Sequence, residues 1–129
     1  MKNFTLTLTL SPEQISDVLC SALEGGSNYW YFIEEYVNPT SWEFDSEPKR
    51  ENGHWAQDYP LNPAGALLMR DGEGDQEMLR LDAEALQKGL IVLAEKYPQH
   101  LAALLAENAD ADTGDAFLQC CLFGDVIYA

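Results

Sequence analysis

The segment from Ser11 to Gly26 leaves little choice of conformation, because both ends of a helix are written in it. Ser11 can cap, Pro12 suits the first helical position, and Gln14 completes a capping box that satisfies the otherwise unpaired amides of the first turn. Ile15, Val18, Leu19, Ala22 and Leu23 then fall on one stripe, and Gly25-Gly26 stops the helix. A helix with one apolar stripe must bury it against a second layer. The rest of the chain has to supply that layer.

The second strong signal is a hairpin. Ala66 to Arg70 and Glu77 to Leu81 are short apolar runs on either side of Asp71-Gly72-Glu73-Gly74-Asp75, a turn sequence. Asp82 caps a further helix with the stripe Leu86, Leu90, Leu93, Ala94 and Tyr97. Pro98 interrupts it, and Leu101, Leu104 and Leu105 continue a second helical piece. Ala116 to Phe123 is apolar nearly all round and ends at Gly124, so this last helix is expected to be buried.

The remaining segments are read with weaker signals. Phe4, Leu6, Leu8 and Leu10 alternate with polar residues, the pattern of a half-buried strand. The aromatic cluster Ser27 to Ile33 reads as a short helix capped by Ser27 or Asn28. Residues 38 to 64 hold Pro39, Pro48, Pro60, Pro63 and the turn dipeptide Asn52-Gly53, so they read as loop with room for a short strand at Ser41 to Phe44. Val126-Ile127-Tyr128 reads as a terminal strand or tail. Together these elements predict an α+β fold in a single domain over residues 1–129. It comprises a small antiparallel sheet, the N-terminal strand plus the hairpin, packed against three or four helices.

No apolar run approaches the roughly 20 residues that span a bilayer. The alternating N-terminus lacks the continuous apolar stretch of a signal peptide, so a cytoplasmic location is expected. Cys20, Cys120 and Cys121 are an odd number in apolar surroundings and read as small buried hydrophobes rather than a disulfide framework. His54 and His100 are far apart and join no zinc-ligand spacing.

The formal charge is −15, from 22 acidic and 7 basic residues. That balance argues against binding nucleic acid or an anionic membrane, which takes Lys and Arg. It suits a basic protein surface, where complementary potential speeds association, and equally suits plain solubility. The carboxylates expected to form such a partner-binding face are Asp71, Glu73, Asp75, Glu77, Asp110, Asp112 and Asp115.

Motifs with chemistry are few. Placing Asn108 at position 1 of a calcium loop puts Asp110 and Asp112 at positions 3 and 5. The glycine needed at position 6 is Thr113, and the carboxylate needed at position 12 is Gln119. Capping of the last helix by these acids fits better. Glu24-Gly25-Gly26-Ser27-Asn28 has the glycines of a phosphate loop, but it follows a helix and has no adjacent cation. Ser27, His54 and a distant Asp make no triad, for no serine sits in a nucleophile elbow. Asn28, Tyr29 and Trp30 remain as a platform that could stack on a planar ligand. No catalytic residue, metal or cofactor is expected, and an enzyme is the least supported class.

Two blocks resemble a group of small phage and prophage proteins. Ala22-Leu23-Glu24-Gly25-Gly26-Ser27-Asn28-Tyr29-Trp30 is similar to their A-x-E-G-G-x-x-Y-W block. Asp115 to Tyr128 is similar to their closing D-A-x-x-Q-x-x-x-F-G-[ED]-[VIL]-[VI]-Y block, with Ala129 where a glycine is usual. The resemblance implies a protein carried by a mobile element and names no activity. The apolar faces suggest that the blocks meet, with Glu24 to Gly26 beside Gln119 to Phe123. In that setting the leading expectation is an inhibitor of a host defence system, of anti-CRISPR or anti-restriction type. It would block a basic nuclease or CRISPR effector subunit, in part as a nucleic-acid mimic. The alternatives are a nucleotide-signal sponge using Asn28, Tyr29 and Trp30 with a cation from Lys49, Arg50, Arg70, Arg80 or Lys88, and a phage structural or assembly protein.

Overall fold

The computed structural model describes residues 1–44, 56–74 and 77–128. The capped helix is present as α1, Pro12–Ser21, with Ser11 accepting from the Gln14 amide and the Gln14 side chain accepting from the Ser11 amide. It runs into a wider π-helical turn, Ala22–Gly26, and stops at the paired glycines. Strand β1, Tyr31–Val37, follows, and then a 3-10 turn at Ala56–Leu61. The expected hairpin is β2, Ala66–Asp71, with β3, Met78–Leu81. Helices α2, Ala83–Lys96, and α3, Pro98–Leu105, meet at Pro98, and α4, Ala111–Phe123, ends at Gly124 in the left-handed region with φ of 75°.

The architecture is α+β: one three-stranded antiparallel sheet in the order β1-β2-β3, packed against the helices. The third strand is not the one the alternation at the N-terminus suggested. Residues 1–10 form no strand, and Phe4 and Leu6 are 91% and 81% exposed. Tyr31–Val37 takes the place beside β2, where a short helix was expected. Aromatic and β-branched side chains fit a pleated, half-buried surface better than a helix turn, and here the two sides differ in burial. Tyr31 and Ile33 are half-buried against the core, while Phe32 and Glu34 face out. A bulge at Glu34 shifts the register once, between Ile33 and Glu35. Ser41 to Phe44 is not a strand, and Val126 to Tyr128 is a tail; Asn52-Gly53 and His54 lie outside the described residues.

Helix α4 is the centre of the core. Ala116, Phe117, Leu118 and Cys120 are buried in it against Val18, Leu19 and Ala22 of the α1 segment and Leu86 and Leu93 of α2. Each fully buried valine, leucine or phenylalanine among them contributes about 1.5–3 kcal/mol. Two glycines set how closely the helices approach. A Cβ on Gly114 would stand 2.6 Å from the Ala22 amide nitrogen, and one on Gly89 of α2 would stand 2.7 Å from Cys121 Cα. No helix among the described residues is long and apolar enough to cross a membrane.

Candidate functional site

The helix that carries Asp115 starts one turn earlier than its apolar run, because Asp110 caps it by accepting from the Thr113 amide at 2.9 Å. Hydrogen bonds from the Thr113 amide and hydroxyl hold the Asp110 carboxyl below its ordinary range. His100 Nδ1 lies 2.9 Å from Thr113 Oγ1 and ties α3 to the same turn. Residues 111–123 are helical, so Asp112, Thr113 and Gln119 do not lie in a loop of the kind a calcium site needs. Among the described residues no cluster of three or more potential metal ligands occurs.

Asp115 is buried, 9% exposed, and accepts three side-chain hydrogen bonds. Ser27 Oγ donates to Oδ1 at 2.7 Å, Trp30 Nε1 donates to Oδ1 at 2.8 Å, and the Tyr29 hydroxyl donates to Oδ2 at 2.7 Å. A buried carboxylate is tolerated when its lone pairs are filled in this way. The absence of a side chain at Gly26 makes the arrangement possible, because a Cβ there would collide with the Ala111 carbonyl. The paired glycines are thus a backbone approach between the end of the first helical segment and the start of α4.

A second set of bonds closes the opposite side of Trp30. Its ring packs on Phe123 and Tyr128, with centroids 5.2 and 5.9 Å away. Buried Gln119 accepts from the Ile127 and Tyr128 amides at 2.8 Å each and donates to the Tyr128 carbonyl at 3.0 Å. The Tyr128 hydroxyl donates to Asp71 Oδ2 at 2.6 Å, while Asp71 Oδ1 accepts from the amides of Glu73 and Gly74. The Trp30 carbonyl accepts from the Gly72 amide at 2.7 Å. The two blocks singled out in the sequence therefore form one hydrogen-bonded unit. Glu24 to Gly26 packs beside Ala111 to Asp115, at the start of α4, and it is Trp30 that reaches Phe123.

This geometry sorts the expected site residues. Asp71 and Asp115 are buried and engaged inside the protein, so neither presents its charge to a partner. Glu73, Glu77, Asp110 and Asp112 are exposed, Asp110 being the cap of α4, and Asp75 lies outside the described residues. Trp30 is 1% exposed and cannot stack on a ligand, whereas Tyr29 is 45% exposed and Asn28 is exposed. Sequence reasoning missed Ser27, Gln119 and Tyr128 as partners of these residues. The available signal was that Asp115 opens a run with no solvent-facing side, where a carboxylate needs donors.

Tyr29 titrates late. Burial, then its hydrogen bond to Asp115, pushes its hydroxyl from about 10 up to about 12. A folded-state value above the unfolded one contributes stability that is complete below about pH 10 and is lost as pH rises through about 12. Ultraviolet titration of the folded protein is expected to show a tyrosine ionising at that upper limit, and Tyr29→Phe to remove that step. Burial pushes the thiols up, Cys20 above its ordinary value, Cys120 to about 11 and Cys121 well above its usual range. All three cysteines are free.

Four of the described cations are paired. Arg70, Arg80, Lys88 and Lys96 each lie within 3.2 Å of a carboxylate: Glu34, Asp82, Glu84 and Asp125 respectively. A groove of about 570 Å³ beside Arg80 is lined by Glu43, Asp82 and Glu84, and by none of Asn28, Tyr29 or Trp30. Lys49 and Arg50 lie outside the described residues. Comparison with protein-family models, curated proteins and solved structures found no match to the chain.

Proposed function

We propose that this chain is a binding protein without turnover that blocks a basic protein surface. In the setting that the phage resemblance implies, it is a mobile-element inhibitor of a host nuclease or CRISPR effector, acting in the host cytoplasm. The observation that carries the reading is the convergence of two acidic segments on Trp30. The turn after β2 reaches its carbonyl through Gly72, and the start of α4 reaches its indole through Asp115. Glu24, Glu73 and Asp112 are exposed on segments next to Trp30 in sequence or bonded to it, and Tyr29, the residue before Trp30, is exposed as well. A partly exposed tyrosine held by a bond to a buried carboxylate is the kind of amphipathic anchor that protein interfaces favour. The exposed carboxylates of these segments would steer a cationic partner and keep nucleic acid away.

A nucleotide-sponge reading has less support, since Trp30 is consumed by the core and the described arginines are paired with carboxylates. The test is affinity capture from a bacterial lysate at low and moderate salt, followed by association kinetics on the captured protein. The combined substitutions Glu24→Lys, Glu73→Lys and Asp112→Lys are expected to slow association by about 10–100-fold at low salt. A basic nuclease or effector subunit whose capture weakens with salt supports the reading. Capture indifferent to both salt and charge reversal overturns it.

A further inference from the structure

Beyond Gly124 the described chain is neither helix nor strand, and residues 125–128 are held by side chains of other elements. Gln119, with no exposed surface, turns its amide on their main chain. Its Oε1 accepts from the Ile127 and Tyr128 amides, and its Nε2 donates to the Tyr128 carbonyl. The Tyr128 ring lies against Trp30 and Phe123, with centroids 5.9 and 6.0 Å away. Its hydroxyl donates to Asp71 Oδ2 at 2.6 Å. Ile127 is 54% exposed, so its side chain is not part of this fit. The segment is joined to α4 through exposed Gly124, with φ of 75°. Asp125 adds a bond to each of Lys96 and Tyr97.

Each wall of this seat is fixed by contacts in which residues 125–128 take no part. Gln119 and Phe123 stand four residues apart on α4 and so share a face of that helix. Trp30 is tied through its indole to Asp115 and through its carbonyl to Gly72. The Glu73 and Gly74 amides hold Asp71 by Oδ1, which leaves Oδ2 turned to the phenol. Gly74 keeps that oxygen within reach, since a Cβ there would stand 2.5 Å from it and 3.1 Å from the Tyr128 hydroxyl. A buried amide and a buried carboxylate both require partners. The seat therefore specifies its occupant: two successive amides and the carbonyl after them, with a tyrosine at the second position.

We propose that this seat is a peptide-binding site occupied by the chain's own residues 125–128, and that it takes a tyrosine-bearing peptide of another molecule when they lift away at Gly124. Gln119 reads the main chain of the ligand, and Asp71 reads its phenol. Phenylalanine in place of the tyrosine leaves Asp71 Oδ2 buried without that donor, and phosphotyrosine sets a phosphate against the carboxylate. The resident segment competes at an effective concentration of about 1 mM, so the site inhibits itself and an outside peptide has to displace it. This holds whether or not the chain blocks a basic partner.

The test uses the full chain carrying Ile127→Pro and Tyr128→Ala, which removes two of the amide and phenol donors that hold the segment. The probe is a free peptide with the sequence of residues 124–128 and blocked ends, followed by the resonances of the Trp30 indole and the Gln119 side-chain amide. The double variant is expected to bind it with a Kd of about 0.1–1 mM, and the parent chain at least about tenfold more weakly. A peptide with phenylalanine at the tyrosine position is expected to bind about tenfold more weakly than the tyrosine peptide. A folded double variant that binds nothing at about 5 mM peptide overturns the proposal, as does equal binding of the phenylalanine peptide. If the double variant does not fold, amide exchange of the parent decides. Ile127 and Tyr128 amides that exchange at least about tenfold faster than those of Leu118 and Cys120, through openings insensitive to denaturant, support a separable segment. Exchange of all four through global unfolding alone overturns it.

Discussion

Asp115→Ala is expected to cost about 3–5 kcal/mol, the largest loss from any single polar side chain in this protein. The substitution removes one acceptor group but strands two buried donors, Ser27 Oγ and Trp30 Nε1, and frees the partly exposed Tyr29 hydroxyl. A buried donor without an acceptor costs about 1–3 kcal/mol, and there is no room for the chain to offer each a new one. The effect on the melting temperature is about 10–20 °C for a domain of this size. Ser27→Ala is the control. It deletes one donor and leaves the carboxylate with two, so a loss of about 1–2 kcal/mol is expected. Urea unfolding followed by circular dichroism measures both. Equal losses for the two variants would show that Asp115 is not the hub the geometry describes.

Gly89→Ala is expected to destabilise, against the usual sign. In an exposed helix interior the change from glycine to alanine gains about 1 kcal/mol. Gly89 lies buried in α2 where that helix meets α4, and an added methyl would stand 2.7 Å from Cys121 Cα and 2.8 Å from its amide nitrogen. Backbone atoms of a packed helix do not yield as a side-chain tip does. The two helices would have to separate, with a net loss of about 2–4 kcal/mol after the propensity gain. Gly25→Ala is the matched comparison, because nothing lies within 4 Å of a Cβ placed there. That variant is expected to unfold within about 1 kcal/mol of the parent. A stabilised Gly89→Ala protein would mean that α2 and α4 are not packed this closely in solution.

These two sites also show why the candidate interface was only partly legible beforehand. Asp115, Asp71, Asp112 and Glu73 look alike in a sequence so rich in carboxylates. Their roles separate only when the fold decides which ones meet donors. Asp115 is surrounded by Ser27, Tyr29 and Trp30, more than 80 residues away along the chain, and Asp71 by Tyr128. Both leave the surface, while Asp112 and Glu73 stay on it. The aromatic run divides in the same way: Trp30 goes to the core and Tyr29 bridges core and solvent. The proposed interface is correspondingly smaller than the roster of acids suggested.

Where structure depends on neighbours within a turn or two, the amino-acid order was sufficient. Ser11, Pro12 and Gln14 start α1, Asp82 starts α2, Pro98 divides α2 from α3, and Gly124 ends α4, each through a local bond or a restricted φ. The hairpin was equally local, since its turn lies between strands that pair with each other. The third strand was not. An alternating segment at residues 4–10 and an aromatic segment at residues 31–37 both suit a pleated surface, and only one can lie beside β2. That choice belongs to Trp30: once its indole is bonded to Asp115 and its carbonyl to Gly72, the next residue must continue along the edge of β2. Contacts this distant in sequence are decided by which buried groups can satisfy one another, a property of the packed tertiary structure and not of any segment alone.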